Sequence, residues 1–429
     1  MQMNKKKVTT TEEQNNKAVI RLSYLDRIFR RLVHQALTKM KKGQLVMTLP
    51  EGTQKIYGSS HTSEAVKVKI HSNQFFRKCV FYGDIGLGES YVDGDWDTND
   101  ISAVISWFIL NINDSPSMSG SKSPSWAINC LSFINRIGYL LRPNNLKISR
   151  KNIHDHYDLG NEFFKLFLDE TMTYSSGYFD NKKKSLTEAQ IDKYELLCKK
   201  LRISENDHIL EIGCGWGGFV IYAAKKYGCR ITAVTNSKEQ FQYTRKSILD
   251  TGLSGIVKIL FEDYRLIKGT FDKIVSIEMM EAVGDKYLAN YFKQCNRLLK
   301  SDGLLGIQCI TCPDSRYDEM RKGTDWIQKH VFPGSLLLSQ YRIAQAMKKT
   351  GDLFLHSWEE FSESYVQTLQ EWRKRFNGSL PEIRTLGFEE AFIRKWNYYL
   401  CCCQADFSMR NIGVVQAVYT KPNNLTLIG

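Results

Sequence analysis

The chain predicts a doubly wound α/β sheet carrying a helical insertion, joined to a smaller α+β unit at its amino-terminal end. Three observations carry this. The run LEIGCGWGG at 210–218 is a short apolar strand that ends in an acid and a glycine-dense turn. Strand-like segments near 208–212, 230–235, 257–262, 272–277 and 303–310 alternate with helical ones. Ahead of residue 111 the rhythm changes to short alternating runs broken by turn residues. A length of 429 residues with ordinary apolar and charged fractions leaves room for two cores.

The start, MQMNKKKVTT, lacks the apolar stretch of a signal peptide, and no run approaches the roughly 18 residues of a spanning helix. The expectation is a cytoplasmic protein that meets membranes peripherally, at their surface. Residues 22–40 have helical spacing interleaved with Arg and Lys, which suits either acidic headgroups or an ordinary solvated face. Runs 65–70 and 75–81 read as strands of the α+β unit. GDIGLGESYVDGDW at 83–96 has no Lys-Ser/Thr ending, and its acids would repel phosphate, so it reads as a tight turn cluster. NINDSPSMSGSKSP at 111–124 has linker composition. The expected divisions are 20–110, a linker at 111–150, and 151–425. Residues 324–348 and 357–407 look mostly helical and aromatic, and 412–419 reads as a final edge strand; the helical block would cap a pocket and make it apolar.

In the 210–218 turn, glycine permits positive φ and close approach of a ligand to a helix N-terminus. Gly213, Gly215 and Gly218 also fit a dinucleotide pattern, but that site wants an acid about 20 residues on. The second strand ends instead in Thr235 and Asn236. The spacing of Glu211, Gly213, Gly215 and Gly217 resembles the first motif of S-adenosylmethionine-dependent methyltransferases, where the turn packs on the amino-acid half of the cofactor.

A net charge of +13 points to anionic partners, either nucleic acid or membrane headgroups. No N-P-P-Y-like motif and no basic patch interleaved with aromatics supports nucleic acid. Eleven cysteines without framework spacing fit a reducing compartment. Cys309 and Cys312 follow a strand and read as core thiols, and Cys401, Cys402 and Cys403 as small hydrophobes in a helix. His154, His156 and Asp158 offer three ligand types, yet no further His cluster accompanies them, so no metal is expected.

Several strings together resemble the cyclopropane-fatty-acid-phospholipid synthase family of lipid methyltransferases, closer to its plant-type form. They are HYDLGNEFF at His156, TYSSGYF at Thr173, LEIGCGWGG at Leu210, EDYR at Glu262, EMMEAVG at Glu278, VFPG at Val331 and YVQTLQEW at Tyr365. The segment at 83–96 looks like that family's amino-terminal lipid-binding domain. The resemblance implies transfer of a methyl group from S-adenosylmethionine to the cis double bond of an unsaturated acyl chain in a membrane phospholipid. The resulting carbocation then loses a proton to bound bicarbonate, giving a cyclopropane or a methyl- or methylene-branched chain.

Carried over by residue, the resemblance implies that Glu281 and Tyr365 hold the bicarbonate, with Ile310 contacting it through its backbone. Ser176 stands where the family usually has cysteine and Gln308 where the enterobacterial form has histidine; both can still donate to an oxyanion. Cys403 falls at a cysteine of the family but has no base beside it in sequence. On the cofactor side the resemblance implies Tyr174 and Ser175 near the methionine part, Thr235 and Gln240 at the ribose, and Asp263 with Tyr264 at the adenine. The partners implied are phospholipids and an anionic membrane surface, with a homodimer left open. Two alternatives stay open: a methyltransferase acting on a small amine, against which the amino-terminal unit argues, and a catalytically weak lipid-binding homologue.

Overall fold

A computed structural model describes residues 23–59, 64–113, 159–181 and 183–428. Nearly all of the expected linker, together with His154, His156 and Asp158, lies outside the described residues.

The larger sheet is built from β5 (His208–Ile212), β6 (Arg230–Thr235), β7 (Val257–Phe261), β8 (Phe271–Ile277), β9 (Leu299–Thr311), β10 (Phe354–Glu360) and β11 (Gly413–Thr420). Their spatial order is β10-β11-β9-β8-β5-β6-β7. β7, β6, β5, β8 and β9 run parallel, while β11 lies antiparallel between β9 and β10. Strands covered on both faces read as continuous apolar runs, which is why β5 and β6 stand out in the sequence and are almost wholly buried here. The chain goes from β5 outward to β6 and β7 and then returns to β8 on the other side. Such a reversal opens a crevice beyond the carboxyl ends of β5 and β8.

Two expectations about the end of the chain are corrected. The first residues of the stretch read as helical from 357 belong to the strand 354–360, with helix beginning only at Ser362, and β11 is an interior strand rather than the edge. β10 is the edge. It is half exposed and ends in Glu359 and Glu360, charges that protect an unpaired strand but blur its apolar alternation.

In the amino-terminal unit, Ser23 caps the helix Tyr24–Leu37 by accepting from the Asp26 N–H at 3.1 Å. A four-stranded sheet follows, made of β1 (Gly43–Thr48), β2 (Gln54–Ser59), β3 (Val66–Ile70) and β4 (Trp96–Asp97) in the order β2-β1-β3-β4. The strand expected at 75–81 is the opening of the helix Gln74–Val92, which bends at Gly83 (φ 57°, ψ −125°) and runs on through the supposed turn cluster. The glycines serve close packing there. A Cβ on Gly86 would lie 2.0 Å from the Lys78 carbonyl oxygen, and one on Gly88 would lie 2.4 Å from the Trp326 ring.

The helix Glu390–Ser408 packs on both Gln74–Val92 and Ile101–Leu110, so apolar residues of the two units share one continuous core. Arg394 fastens this junction. It donates to the Tyr91 and Trp96 carbonyls at 2.6 and 3.0 Å, pairs with Asp97 at 2.8 Å and stacks over the Tyr91 ring at 4.0 Å. Among the described residues no helix is long and apolar enough to cross a membrane.

Candidate active site

The cleft beyond β5 begins at the glycine turn, where Gly213, Gly215 and Gly217 have φ of 81°, 53° and 87°. A side chain on Gly213 would strike Met279 Cγ at 2.6 Å and one on Gly217 would strike Thr244 Cγ2 at the same distance, whereas Gly215 faces open space. The turn therefore exposes backbone to a ligand on one side and packs tightly on the other. Of the residues expected to hold a cofactor, Tyr174, Ser175, Glu211, Gly213, Gly215, Thr235, Gln240 and Tyr264 line this one cleft. Gly217 supports the turn from behind. Asp263 is also withdrawn: its carboxylate accepts from Arg265 Nε and Nη2, both at 2.7 Å, and from Asn236 Nδ2 at 3.2 Å. Burial pushes the Asp263 carboxyl up, but Arg265 outweighs it and holds the group low.

Two buried oxygens of cleft residues, Glu211 Oε2 and Asn236 Oδ1, have no hydrogen-bond partner among the described residues. An orphaned buried acceptor is costly, so each calls for a donor from outside. The ribose hydroxyls and ammonium group of S-adenosylmethionine are donors of the required kind, and the residues present fit that cofactor. Burial raises the Glu211 carboxyl, with Lys193 pulling against it.

Lys193 has no place among the residues expected from the sequence. It is wholly buried, donates from Nζ to Ser175 Oγ at 2.7 Å and lies 4.6 Å over the Tyr194 ring. Burial lowers its pKa against the pull of Glu278, Asp169 and Glu211. Its signal in the sequence is position: in the helix Leu186–Lys200 the buried face runs through Leu186, Ala189, Gln190, Lys193, Tyr194 and Leu197, so this lysine sits at apolar spacing.

At the far end of the cleft three of the residues expected from the resemblance, Ser176, Gln308 and Tyr365, gather around a residue outside that set, Glu278. Ser176 N donates to Glu278 Oε1 at 2.9 Å, Gln308 Nε2 donates to the same oxygen at 2.8 Å, and Tyr365 donates from its phenol to Oε2 at 2.7 Å. The Ser176 hydroxyl points elsewhere, donating to the Gly177 carbonyl at 2.9 Å, so the backbone supplies the donor expected from the side chain. Glu278 follows the last residue of β8 and holds φ of 46°, a strained value for a residue other than glycine. Burial raises its carboxyl, opposed first by Gln308 and then by Tyr365, Ser176 and Lys193. An acid directly beyond a strand end at the reversal point was the signal available in the sequence.

Glu281 accepts from Ile310 N at 2.5 Å through one oxygen, and its other carboxylate oxygen is buried with no partner among the described residues. Burial, with the Glu278 charge adding, pushes its pKa up to about 8. Two carboxyls three residues apart thus have unlike surroundings, one met by three donors and the other by a single donor. Cys403 is no thiolate: burial, then Asp406 and Asp325, push its thiol well up. Tyr174 shares a hydrogen bond with the Tyr399 hydroxyl at 2.9 Å, and its ring lies 5.1 Å from Trp372, in an aromatic wall beside the carboxylates. Cys309 and Cys312 are both buried free thiols.

A family profile described as mycolic acid cyclopropane synthetase matches residues 144–417. The chain is 34% identical to a tuberculostearic acid methyltransferase of Mycobacterium tuberculosis over 351 residues, 79% of each chain. It is 30% identical to the cyclopropane-fatty-acyl-phospholipid synthase of Escherichia coli over 375 residues, 84% of this chain and 89% of that one. Among solved structures it resembles a mycolic acid cyclopropane synthase complexed with SAH and CTAB, with 27% identity and a TM-score of 0.59, covering 63% of this chain and 98% of that one. A coclaurine N-methyltransferase structure, 21% identical with a TM-score of 0.60, covers 79% of this chain and 99% of its own, and shows the shared fold.

Proposed function

The chain belongs to the mycolic acid cyclopropane synthetase family and is an S-adenosylmethionine-dependent methyltransferase, and from that premise we propose that it methylates the cis double bond of an unsaturated acyl chain in a membrane phospholipid. The observation that carries this reading is the single cleft that runs from the glycine turn to Glu278.

The bound cofactor supplies an electrophilic methyl group. An alkene is a poor nucleophile, so the acceptor carbon must be held in line with that methyl, and water must be kept from the cation that forms. Tyr174, Tyr399, Tyr365 and Trp372 suit both tasks, because their rings exclude water and their π faces attract positive charge. No thiolate is needed. Bicarbonate as the base rests on the resemblance alone; of the residues expected to hold it, Ser176, Gln308 and Tyr365 meet at Glu278, while Ile310 N donates to Glu281.

For the lipid-binding amino-terminal domain, the support is the helix Tyr24–Leu37. It carries Arg27 and Arg31, and exposes Tyr24 at 72% and Leu25 at 60%, a mixture suited to an anionic interface, while Arg30 is buried against Glu51 and Asn73. A peripheral position on the cytoplasmic side agrees with the ten described cysteines, all of them free.

Incubating the purified protein with unsaturated phospholipid vesicles and methyl-labelled S-adenosylmethionine tests the reading. Label recovered in the fatty acyl fraction, with a mass gain of one CH₂, is expected. Label found only in an added small amine would replace the proposal with the amine reading, and an unlabelled lipid in every preparation would sink it.

A further inference from the structure

Taking methyl transfer to an alkene as its premise, we propose that Glu278 is itself the general base, so that the chain carries on one of its own side chains the carboxylate that bicarbonate would otherwise supply. The argument is one of occupancy. Of the donors that the resemblance assigns to a carbonate-like anion, the amide of Gln308 and the phenol of Tyr365 already point at Glu278, joined there by the backbone N–H of Ser176, and the backbone N–H of Ile310 is taken by Glu281. A second anion on the same donors would sit against the first and be repelled by it.

Each donor is held in that direction. Gln416 Nε2 donates to Gln308 Oε1 at 3.1 Å, which leaves the Gln308 amide nitrogen turned toward Glu278. Glu278 N donates to the Gln308 carbonyl at 2.7 Å and so maintains the strained backbone that aims the side chain. An ionised carboxylate offers about four lone-pair sites, and three are taken by these donors. The remaining one belongs to a residue that lines the cofactor cleft. Glu281, with one donor and a carboxyl pushed up to about 8, is poorly placed to be ionised beside it.

The step balances without an outside reagent. The alkene π pair forms the new bond to the methyl carbon as the carbon–sulfur pair leaves with sulfur. Glu278 then removes one proton from that methyl. Its C–H pair closes the cyclopropane ring or, after a hydride shift along the chain, forms an exocyclic methylene. Glu278 finishes as the neutral acid and releases the proton to solvent. A saturated methyl branch needs a hydride donor as well, so the products this base supports are the ring and the methylene.

The test compares wild type, Glu278→Gln and Glu278→Gly in buffers stripped of carbon dioxide and then supplemented with bicarbonate. Wild type should turn over equally in both. Glu278→Gln should lose about 100-fold or more in kcat while binding S-adenosylmethionine as before, the scale of a lost general base. Glycine accepts the positive φ without strain and vacates the anion site, so Glu278→Gly should be slow in stripped buffer and regain about tenfold or more with bicarbonate. Titration with ¹³C-bicarbonate, read by NMR without any lipid, should show binding to the glycine variant alone. Bicarbonate-dependent turnover in wild type, bicarbonate binding to wild type, or full activity in Glu278→Gln would each overturn the proposal. Because the titration needs no acceptor, it still judges Glu278 if the lipid reading fails on its own.

Discussion

Tyr365 donates its phenol to the Glu278 carboxylate across 2.7 Å, tying the helix Ser362–Gly378 to the end of β8. The Tyr365 ring is itself stacked on Phe407 at 4.3 Å, so its position does not depend on the hydrogen bond. Tyr365→Phe should therefore keep the wall and lose only the donor. A hydrogen bond to a charged group contributes about 1.5–3 kcal/mol, which corresponds to roughly 10–100-fold in rate. The expected outcome is a fall of that size in kcat with S-adenosylmethionine affinity unchanged by calorimetry. An equal loss in cofactor affinity would mean that Tyr365 shapes the cleft as a whole.

Gly217 makes the complementary prediction on the cofactor side. Its φ is 87°, and a methyl group added to its Cα would lie 2.6 Å from Thr244 Cγ2, so Gly217→Ala must strain the backbone and displace the helix Lys238–Asp250. Gly217 does not line the cleft, so the damage reaches the ligand through the turn. Stability should drop by about 1–3 kcal/mol in urea denaturation, and cofactor affinity by about tenfold. Gly217→Ala combined with Thr244→Ser, which removes the obstructing methyl, should recover part of both losses. No recovery would show that backbone strain dominates over the contact.

Glu281 predicts a pH dependence of stability. Its carboxyl is pushed from 4.5 up to about 8 in the folded chain, first by burial and then by Glu278. Between those values the folded state holds a proton that the unfolded state has lost. Stability contributed by the protonated group is thus complete below about pH 4.5 and is lost as pH rises toward about 8, at up to about 1.4 kcal/mol per pH unit. Glu281→Gln removes this loss. The stability of the variant relative to wild type should therefore climb between about pH 5 and about pH 8, whatever other groups contribute to both proteins. Urea midpoints at several pH values measure it, and a constant difference would place the Glu281 pKa near its ordinary value.

The parts of this chain that were legible before folding are those in which one physical demand acts alone. β5 and β6 are buried on both faces and bounded by turns, and their limits agree with the reading at 208–212 and 230–235. Where two demands compete, the pattern misleads. In 75–92 helix packing against Trp326 and Tyr398 requires glycines that look like turn residues, and in β10 exposure at a sheet edge introduces charges that look helical. The site divides in the same way. Spacing locates the glycine turn, but whether Ser176 offers its hydroxyl or its backbone N–H depends on rotamer and strand pairing, which residue type does not encode. Lys193 and Glu278 were hidden for a related reason, since a charge reads as solvated until its neighbours are known.

Arg394 tests whether the amino-terminal unit and the catalytic cleft are mechanically joined. Its guanidinium makes two bonds to main-chain carbonyls, one ion pair and one ring contact in the amino-terminal unit, while its helix, Glu390–Ser408, also carries Tyr399 of the aromatic wall. Arg394→Ala leaves the Tyr91 and Trp96 carbonyls without that donor and uncovers the Tyr91 ring, so a loss of about 2–4 kcal/mol is expected. Lysine can restore the charge opposite Asp97 but lacks the planar fork that reaches two carbonyls, and Arg394→Lys should recover less than half of the lost stability. If the helix carries the disturbance to Tyr399, both variants will also raise KM for the lipid acceptor more than they alter cofactor affinity. Calorimetric melting with parallel kinetics separates the two effects, and an unchanged KM in a destabilised Arg394→Ala would confine this residue to holding the units together.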